Sequence, residues 1–363
     1  MPGVADARDI IAAVERVAPP PLAEGWDTCG LQVGHRVAGV GRVLVALTPL
    51  PEVFEEAAEI GADFLLFHHP LIFSPLKGVD TGSYPGDLVA RAISENLAVY
   101  AAHTSYDAAP DGVSVALAEA IGLRGPLEVV SPRGALRKLV VFVPEGAEDA
   151  VAGALSGAGA GVIGDYTRCT FRTPGTGTFL PGEGSDPYLG EPGRLQRAAE
   201  IRLETVVPAH LARDAADAAA AAHPYEEVPI DVYPVEGSPE GCGYGRIGDL
   251  PEPLTAEGLR QRVSDSLGFP ARLVADPDPV REGGRVAVVG GSGGSFIAEV
   301  AASGAGAYVT GDLDYHDALL AESLGLAAID AGHAATELPS LEPLARRLAG
   351  LVDVPVGVSR VRR

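Results

Sequence analysis

The chain has 363 residues, of which 47% are hydrophobic and only 6% aromatic, which predicts two or three domains with a large aliphatic core. Its 49 acidic residues outnumber its 27 lysines and arginines. The resulting net charge of -22 argues against nucleic-acid binding, because an acidic surface repels phosphate backbones. The three cysteines lie far apart, which favours a reduced, cytoplasmic protein over a Cys-rich zinc module. No apolar stretch is long enough to cross a bilayer, so we expect no membrane contact.

The first 130 residues alternate between helical and strand patterns. Apolar spacing predicts helices over 7–17, 52–60 and 86–95. Short apolar runs predict strands over 43–47, 64–67 and 97–102. This alternation is typical of βαβ units, which build a parallel sheet.

From about residue 131 the pattern changes to that of a ferredoxin-like unit. In chain order we predict a strand over 138–143, a helix over 147–157 and a long loop over 173–193. A strand over 201–207, a helix over 210–222 and a strand over 229–235 follow. The βα alternation then resumes, with strands over 286–289, 307–310 and 326–329. We therefore expect a three-layer α/β domain with a parallel or mixed sheet, split between 1–130 and 240–363, with an inserted α+β domain over 131–239.

Two adjacent histidines end the most apolar of the predicted strands. Phe64–Phe67 is followed by His68, His69 and Pro70, and the proline ends the strand because it cannot donate to a ladder. Ligands of open α/β folds bind at this edge of the sheet. These residues alone leave two interpretations open: the imidazoles bind a metal ion, or they hydrogen-bond to backbone carbonyls.

Other histidines also follow predicted strands of the split domain. The five that do so are His68, His69, His103, His316 and His333. His333 and Glu337 are four residues apart at a helix start and share one face, while Asp107 follows His103 in a turn. The ligand set we predict is His68, His69, Asp107, His333 and Glu337. Three imidazoles and two carboxylates suit Zn, Mn, Fe or Co, and five ligands suffice for two bridged ions. The alternative for His333 and Glu337 is a helix-capping pair.

Two further segments allow a functional and a plain interpretation. The loop Gly290–Ser295, between a strand and a helix, is either an anion cradle or a tight βα turn. His316, surrounded by Asp312, Asp314 and Asp317, is either an acid/base near the metal ions or a histidine among helix-capping aspartates.

Five motifs, in order along the chain, resemble those of the GTP cyclohydrolase 1 type 2 homolog family. They are Trp26-Asp27-x-x-Gly30-Leu31-x-Val33-Gly34, His68-His69-Pro70-Leu71, His103-Thr104-x-x-Asp107-x-Ala109, Thr310-Gly311-Asp312-x-x-Tyr315-His316-Asp317 and Gly332-His333-x-x-Thr336-Glu337. A sixth motif resembles the inserted domain of the family's longer members, which is similar to the PII/CutA fold. It is His223-Pro224-Tyr225-Glu226-Glu227-x-x-x-Asp231-x-Tyr233. The resemblance covers essentially the whole chain.

The resemblance implies a dinuclear metal site in a toroidal homohexamer. The implied ligands are again His68, His69, Asp107, His333 and Glu337. Thr28 and Cys29 stand where many members have Asn and an aliphatic residue, and Asp314 stands where a lysine is common. Asp314 adds negative charge near the site.

Together these observations predict a dinuclear divalent-metal-dependent hydrolase. We expect a small, nucleotide-like substrate, with a reaction such as the opening of a purine ring. Glu337 and His316 are the predicted catalytic residues, with His316 as proton shuttle. The alternative is a non-enzymatic, metal-carrying or ligand-sensing assembly in which the insert senses a ligand or docks a partner.

Overall fold

The computed structural model describes residues 4–36, 38–277 and 284–362. The chain packs into two compact units, one formed by Met1–Pro132 with Gly241–Arg363 and the other by Arg133–Glu240. In the described ranges, no helix is both long enough and apolar enough to cross a bilayer.

The first sheet of the larger unit has the Phe64–Phe67 strand at its centre. Within the described residues it contains five strands, in the spatial order Val356–Val358, Val43–Ala46, Phe64–Phe67, Ala98–Ala101 and Gly30–Val33. Neighbouring strands are parallel, except that Gly30–Val33 runs antiparallel to Ala98–Ala101. A short antiparallel pair, Ala5–Asp6 with Gly39–Val40, lies apart from this sheet.

Helices cover both faces of this sheet. Side chains alternate between faces along a strand, so Val43 and Val45 pack in one apolar cluster and Leu44 and Ala46 in another. The helices Ala7–Val17 and Leu341–Ala349 supply the first cluster, and Pro51–Ile60 and Gly86–Ser94 supply the second. Burial on both faces explains why the strands are continuous apolar runs.

A second sheet in the same unit carries the C-terminal strands. Its six strands, counted over the described residues, are ordered Arg272–Ala275, Ala327–Asp330, Ala307–Gly311, Arg285–Ser292, Gly243–Asp249 and Arg124–Pro132. The three strands that begin at 327, 307 and 285 are parallel to one another, and the other pairings are antiparallel. One face packs against Val113–Ile121 and Ala256–Leu267, the other against Ile297–Ala302 and Tyr315–Ser323.

The predicted α/β class is confirmed, but the prediction of one sheet is wrong. Over the described residues, the larger unit contains two main sheets, both of mixed orientation, besides the short pair Ala5–Asp6 with Gly39–Val40. The strands Gly243–Asp249 and Arg124–Pro132 were not predicted. Gly243–Asp249 contains three glycines and a buried arginine, so it lacks the apolar alternation that marks a strand.

The smaller unit has the element order of a ferredoxin-like fold. Its sheet is ordered Ile230–Val235, Leu136–Pro144, Gln196–Pro208 and Phe171–Phe179, with all neighbours antiparallel. The helices Glu148–Gly157 and Ala212–Ala222 share an apolar cluster with the sheet.

The predicted loop over 173–193 is wrong at its start, because Phe171–Phe179 is a strand. This strand lies at the edge of the sheet, where Pro174 and two glycines are tolerated.

Candidate metal centre

The two histidines at 68 and 69 are held by the edges of the strands beside them. The His68 N–H donates to Ala46 O at 3.1 Å, and the His69 N–H donates to Leu47 O at 2.9 Å. The His68 ring is fully buried, and its Nδ1–H donates to Ala102 O at 3.0 Å. This contact fixes the tautomer and directs Nε2 towards the carboxylates described next.

Glu337 lies between the three predicted imidazole ligands. It ends the short helix His333–Glu337, and its Oε1 lies 3.4 Å from His68 Nε2 and 3.2 Å from His333 Nε2. Its Oε2 lies 3.1 Å from His69 Nε2. Asp107, at the end of the short helix Thr104–Asp107, has its Oδ1 3.6 Å from His68 Nε2. The structure therefore brings together all five side chains of the predicted ligand set.

These separations fit metal ligation. Two ligand atoms of one tetrahedral ion, each bonded at about 2.1 Å, lie roughly 3.4 Å apart. The nitrogen-to-carboxylate distances of 3.1 to 3.6 Å match that value. The Nε2 atoms of His69 and His333 are also 3.3 Å apart, as ligands of a shared ion would be.

Several buried polar atoms of the cluster make no hydrogen bond. Among the described residues, the buried atoms without a hydrogen bond include His68 Nε2, Asp107 Oδ1 and Glu337 Oε2. Leaving polar atoms unbonded in the interior costs free energy unless another partner satisfies them. The donor set of imidazole nitrogen and carboxylate oxygen fits Zn, Mn, Fe or Co.

The cluster sets opposite charges against one another. Burial raises the pKa of the Asp107 carboxyl to about 6. Burial disfavours the charged form of His68, but the Asp107 and Glu337 carboxylates outweigh it and raise its pKa to about 9. Burial lowers the pKa of His69, whereas the contact with Glu337 raises that of His333 to about 9. Burial would raise the pKa of Glu337, but the neighbouring histidines hold it well below its usual range. Glu337 is therefore ionised at neutral pH, the form that binds a metal.

Two carboxylates outside the predicted set orient histidines of the site. The His333 Nδ1–H donates to Asp312 Oδ2 at 2.6 Å, and the His103 Nδ1–H donates to Asp27 Oδ1 at 2.9 Å. Asp27 also accepts from the backbone N–H of Thr104 at 3.0 Å and from its hydroxyl. Such carboxylate–histidine pairs hold the other ring nitrogen towards a metal.

His103 was left out of the predicted ligand set, although it was recognised as a strand-end histidine. In the structure its ring lies with those of His68 and His69, and one ligand atom from each falls within 4.8 Å of the others. The sequence signals for this pair were the position of His103 after a strand and the Trp26-Asp27 motif. Neither signal shows that the two side chains meet across 76 residues of chain.

His316, the predicted proton shuttle, lies in the first turn of the helix Tyr315–Ser323 and is exposed. The Asp314 side chain caps this helix by accepting from the N–H groups of His316 and Asp317, at 2.7 and 2.9 Å. The ring of His316 packs beside that of Tyr315, with centroids 5.5 Å apart. Its surroundings are those of a histidine among capping aspartates, and its catalytic role stays a prediction.

The glycine loop forms a tight turn against the site. Its N–H groups at Gly290, Gly291 and Gly293 donate to Ser114 Oγ, Thr336 Oγ1 and Gly311 O, at 3.3, 2.9 and 3.4 Å. These donors are bonded within the protein, which favours the plain-turn interpretation over an anion cradle.

Gly291 allows the loop to approach Glu337 closely. Its φ is +70°, and a Cβ added there would lie 2.6 Å from Glu337 Oε1. Residues other than glycine are strained at such a φ. Glycine at this position therefore leaves room for the central carboxylate.

The fold and the site define a mixed α/β protein with a candidate divalent-metal centre built around one carboxylate. The chain belongs to the Duf34/NIF3 (NGG1p interacting factor 3) family, whose profile matches residues 5–362. It is 40% identical over 351 residues to a Bacillus subtilis protein named GTP cyclohydrolase 1 type 2 homolog, covering 96% of this chain and 93% of that one. A Mycobacterium tuberculosis protein of the same name is 40% identical over 340 residues, with 91% and 88% covered.

A solved structure shows the same fold. The crystal structure of a Bacillus cereus protein related to NIF3 superimposes with a TM-score of 0.86 at 39% sequence identity, covering 99% of this chain and 98% of that chain. The resemblance predicted from the sequence motifs is therefore confirmed.

Proposed function

We propose that the protein is a hydrolase that depends on two divalent metal ions and acts on a small, nucleotide-like substrate. The observation that carries this proposal is the position of Glu337, whose carboxylate oxygens lie 3.1 to 3.4 Å from the Nε2 atoms of three histidines. The name GTP cyclohydrolase 1 type 2 homolog, given to relatives at 40% identity, supports the substrate class.

The distances support one division of the ligands between two ions. His68 and Asp107 would hold one ion, His69 and His333 the other, and Glu337 would bridge the two. Bound divalent ions supply Lewis-acid polarisation of the scissile centre and activation of water. Asp312 and Asp27 act through the histidines that they orient, His333 and His103.

His103 is a second candidate for proton transfer, beside the predicted His316. Its Nδ1 is engaged by Asp27, so the remaining nitrogen of the ring, Nε2, is the one that exchanges a proton with substrate. The ring centroid of His103 lies 5.3 Å from that of His68 and 5.7 Å from that of His69. In contrast to His316, His103 is therefore placed at the predicted ligands.

Exposed aromatic rings beside His103 support a flat substrate. The Trp26 side chain is 61% exposed and that of Phe73 54% exposed, although both are large apolar groups. Their centroids lie 6.2 and 6.5 Å from that of His103, and 6.1 Å from each other. A nucleobase stacked on such rings would be stabilised by the contact, and the stacking would hold the substrate close to the ligand cluster.

The test is metal analysis followed by a screen for turnover. Protein purified without oxygen is expected to carry two divalent ions per chain and to hydrolyse at least one member of a panel containing GTP and related purines. Glu337→Gln is expected to lose metal and turnover, because an amide is a poor metal ligand. Glu342→Gln, at an exposed position on the next helix, is the matched control and keeps both. Wild-type metal content in Glu337→Gln would refute the bridging role.

The second candidate is a non-enzymatic, metal-carrying or ligand-sensing protein. It is favoured by the separate unit over 133–240, whose strand order supports a PII/CutA-like, ferredoxin-type domain with a cavity of its own. Tight metal binding without turnover of any member of the panel would favour this candidate. Joining residues 1–130 to 240–363 through a short linker tests whether the insert is dispensable: we expect a folded, metal-binding product.

We further propose that six chains form a ring in the cytoplasm. Exposed apolar side chains, among them Ile93 at 66% and Tyr315 at 72%, support burial in an assembly. The low cysteine count supports a reducing compartment. Light scattering at micromolar concentration is expected to report a hexamer, and a monomer would refute this. No DNA binding is expected at physiological salt, because the net charge is -22.

A further inference from the structure

The inserted unit contains a cavity that is distinct from the ligand cluster and, over its described residues, is lined by acidic but not by basic side chains. Its volume is about 660 Å³, within the range of small-molecule sites. The wall combines aromatic rings with three carboxylates, and no lysine or arginine is among the described residues that line it. The acidic residues are Glu200, Glu226 and Glu227.

Glu200 is the buried carboxyl group of this cavity. It lies on the strand Gln196–Pro208 and is only 7% exposed. Its Oε1 accepts a hydrogen bond from the Tyr225 hydroxyl at 3.0 Å. Among the described residues no lysine or arginine forms an ion pair with it, and burial lowers the pKa of the nearby His223. Since burying an unpaired carboxylate is costly, a positive partner at this position would stabilise the unit.

A glycine on the neighbouring strand makes room for this carboxylate. Gly177 pairs in register with Ala198, two residues before Glu200, and a Cβ added at residue 177 would overlap Glu200 Oε2. Glu226 and Glu227, both exposed, add negative charge where the cavity meets solvent.

Aromatic rings form the apolar part of the wall. The ring of Tyr225 lies 6.3 Å from that of Phe179 and 5.9 Å from that of Tyr188, measured between centroids. Tyr188 is 59% exposed. Faces of such rings attract cations and pack against flat apolar groups.

We propose that this cavity binds a small organic cation, with its ammonium or guanidinium group at Glu200 and its apolar body against Phe179, Tyr188 and Tyr225. The three carboxylates exclude anions such as nucleotides. A metal ion is disfavoured because the clusters with metal-ligand spacing, within the described residues, lie at the histidine site. The proposal does not depend on the hydrolase reaction.

The charge requirement is tested with three ligands of one shape. Calorimetric titration of the full-length protein would compare 2-phenylethylammonium, 2-phenylethanol and phenylacetate. We expect one ammonium bound per chain, about tenfold or more tighter than the alcohol, as expected for a charge-assisted hydrogen bond, and no binding of phenylacetate. Equal affinity for the ammonium and the alcohol, or no binding of the ammonium at millimolar concentration, overturns the proposal.

Variants locate the binding to Glu200. Glu200→Gln keeps the shape of the side chain and is expected to weaken ammonium binding about tenfold or more. Asp217→Asn makes the same change of charge at an exposed helix position outside the cavity lining, and it is expected to change the affinity less than about twofold. An unchanged affinity in Glu200→Gln overturns the assignment. If that variant does not fold, Tyr188→Ala removes an exposed ring of the wall; it is expected to weaken binding, and unchanged binding would again overturn the proposal.

Discussion

Arg246 is a buried arginine that hydrogen-bonds to the segment following Asp107, a predicted metal ligand. It is 2% exposed on the strand Gly243–Asp249. Its guanidinium donates to five carbonyl oxygens at 2.7 to 3.1 Å, those of Ala109, Pro110, Gly241, Gly243 and Gly245. Burial lowers its pKa to about 10, so the group remains charged at neutral pH. Two of the acceptors, Ala109 and Pro110, lie two and three residues after Asp107, and Arg246 therefore holds the segment that carries this predicted ligand.

Arg246→Met is expected to destabilise the protein substantially. Each hydrogen bond to a charged group contributes about 1.5–3 kcal/mol, and each buried carbonyl left unbonded costs about 1–3 kcal/mol. The methionine recovers apolar burial and removes a charge that was costly to desolvate. The net loss is therefore smaller than the sum, and we expect a decrease in the free energy of unfolding of about 3–5 kcal/mol. Arg246→Lys keeps the charge but has three donors instead of five, so we expect its free energy of unfolding to lie between those of the wild type and Arg246→Met.

Urea denaturation measures the stability, and competition with a chelator measures the metal affinity. In folded Arg246→Met, affinity should fall about tenfold or more, as for the loss of other groups that support ligands. Arg213→Met is the matched control: its side chain is 92% exposed, and the expected change in stability lies within about 0.5 kcal/mol. If both variants unfold at the same urea concentration, the carbonyls around Arg246 do not need the guanidinium and the reasoning fails.

Three further substitutions test the site itself. Gly291→Ala should lower the metal content, because the new Cβ would lie 2.6 Å from Glu337 Oε1; wild-type metal content would contradict this. Asp312→Asn should weaken metal binding about 10–100-fold by releasing the His333 ring, measured by chelator competition, and an unchanged affinity would show that Asp312 does not support it. Trp26→Ala should raise the KM of an identified substrate with kcat nearly unchanged, whereas a loss of kcat alone would argue against a stacking role.

Local patterns in the sequence were enough to predict the α/β class and the segments that carry the candidate site. The strand Phe64–Phe67 is apolar at every position because both of its faces are buried, and its bounds were predicted correctly. His68 and His69 follow it immediately, so their place at the end of a strand was readable from a few residues. The same local logic paired His333 with Glu337 across one helical turn.

Elements without a local pattern were missed. The edge strand Phe171–Phe179 has a proline, two glycines and little apolar alternation, and it is a strand because Gln196–Pro208 supplies its hydrogen-bond partners. The strand Gly243–Asp249, which contains Arg246, was missed for a related reason. Its glycines allow close packing against neighbouring residues but have a low propensity for strands.

Only the tertiary structure decided which carboxylates orient the histidines of the site. Asp27 lies 76 residues from His103, and Asp312 lies 21 residues from His333. Periodicity, capping and turn chemistry act over a few residues, so they determine the type of each element and where it ends. The pairing of strands brings distant ends together and thereby sets which carboxylate orients which imidazole, and no pattern within one segment carries that information.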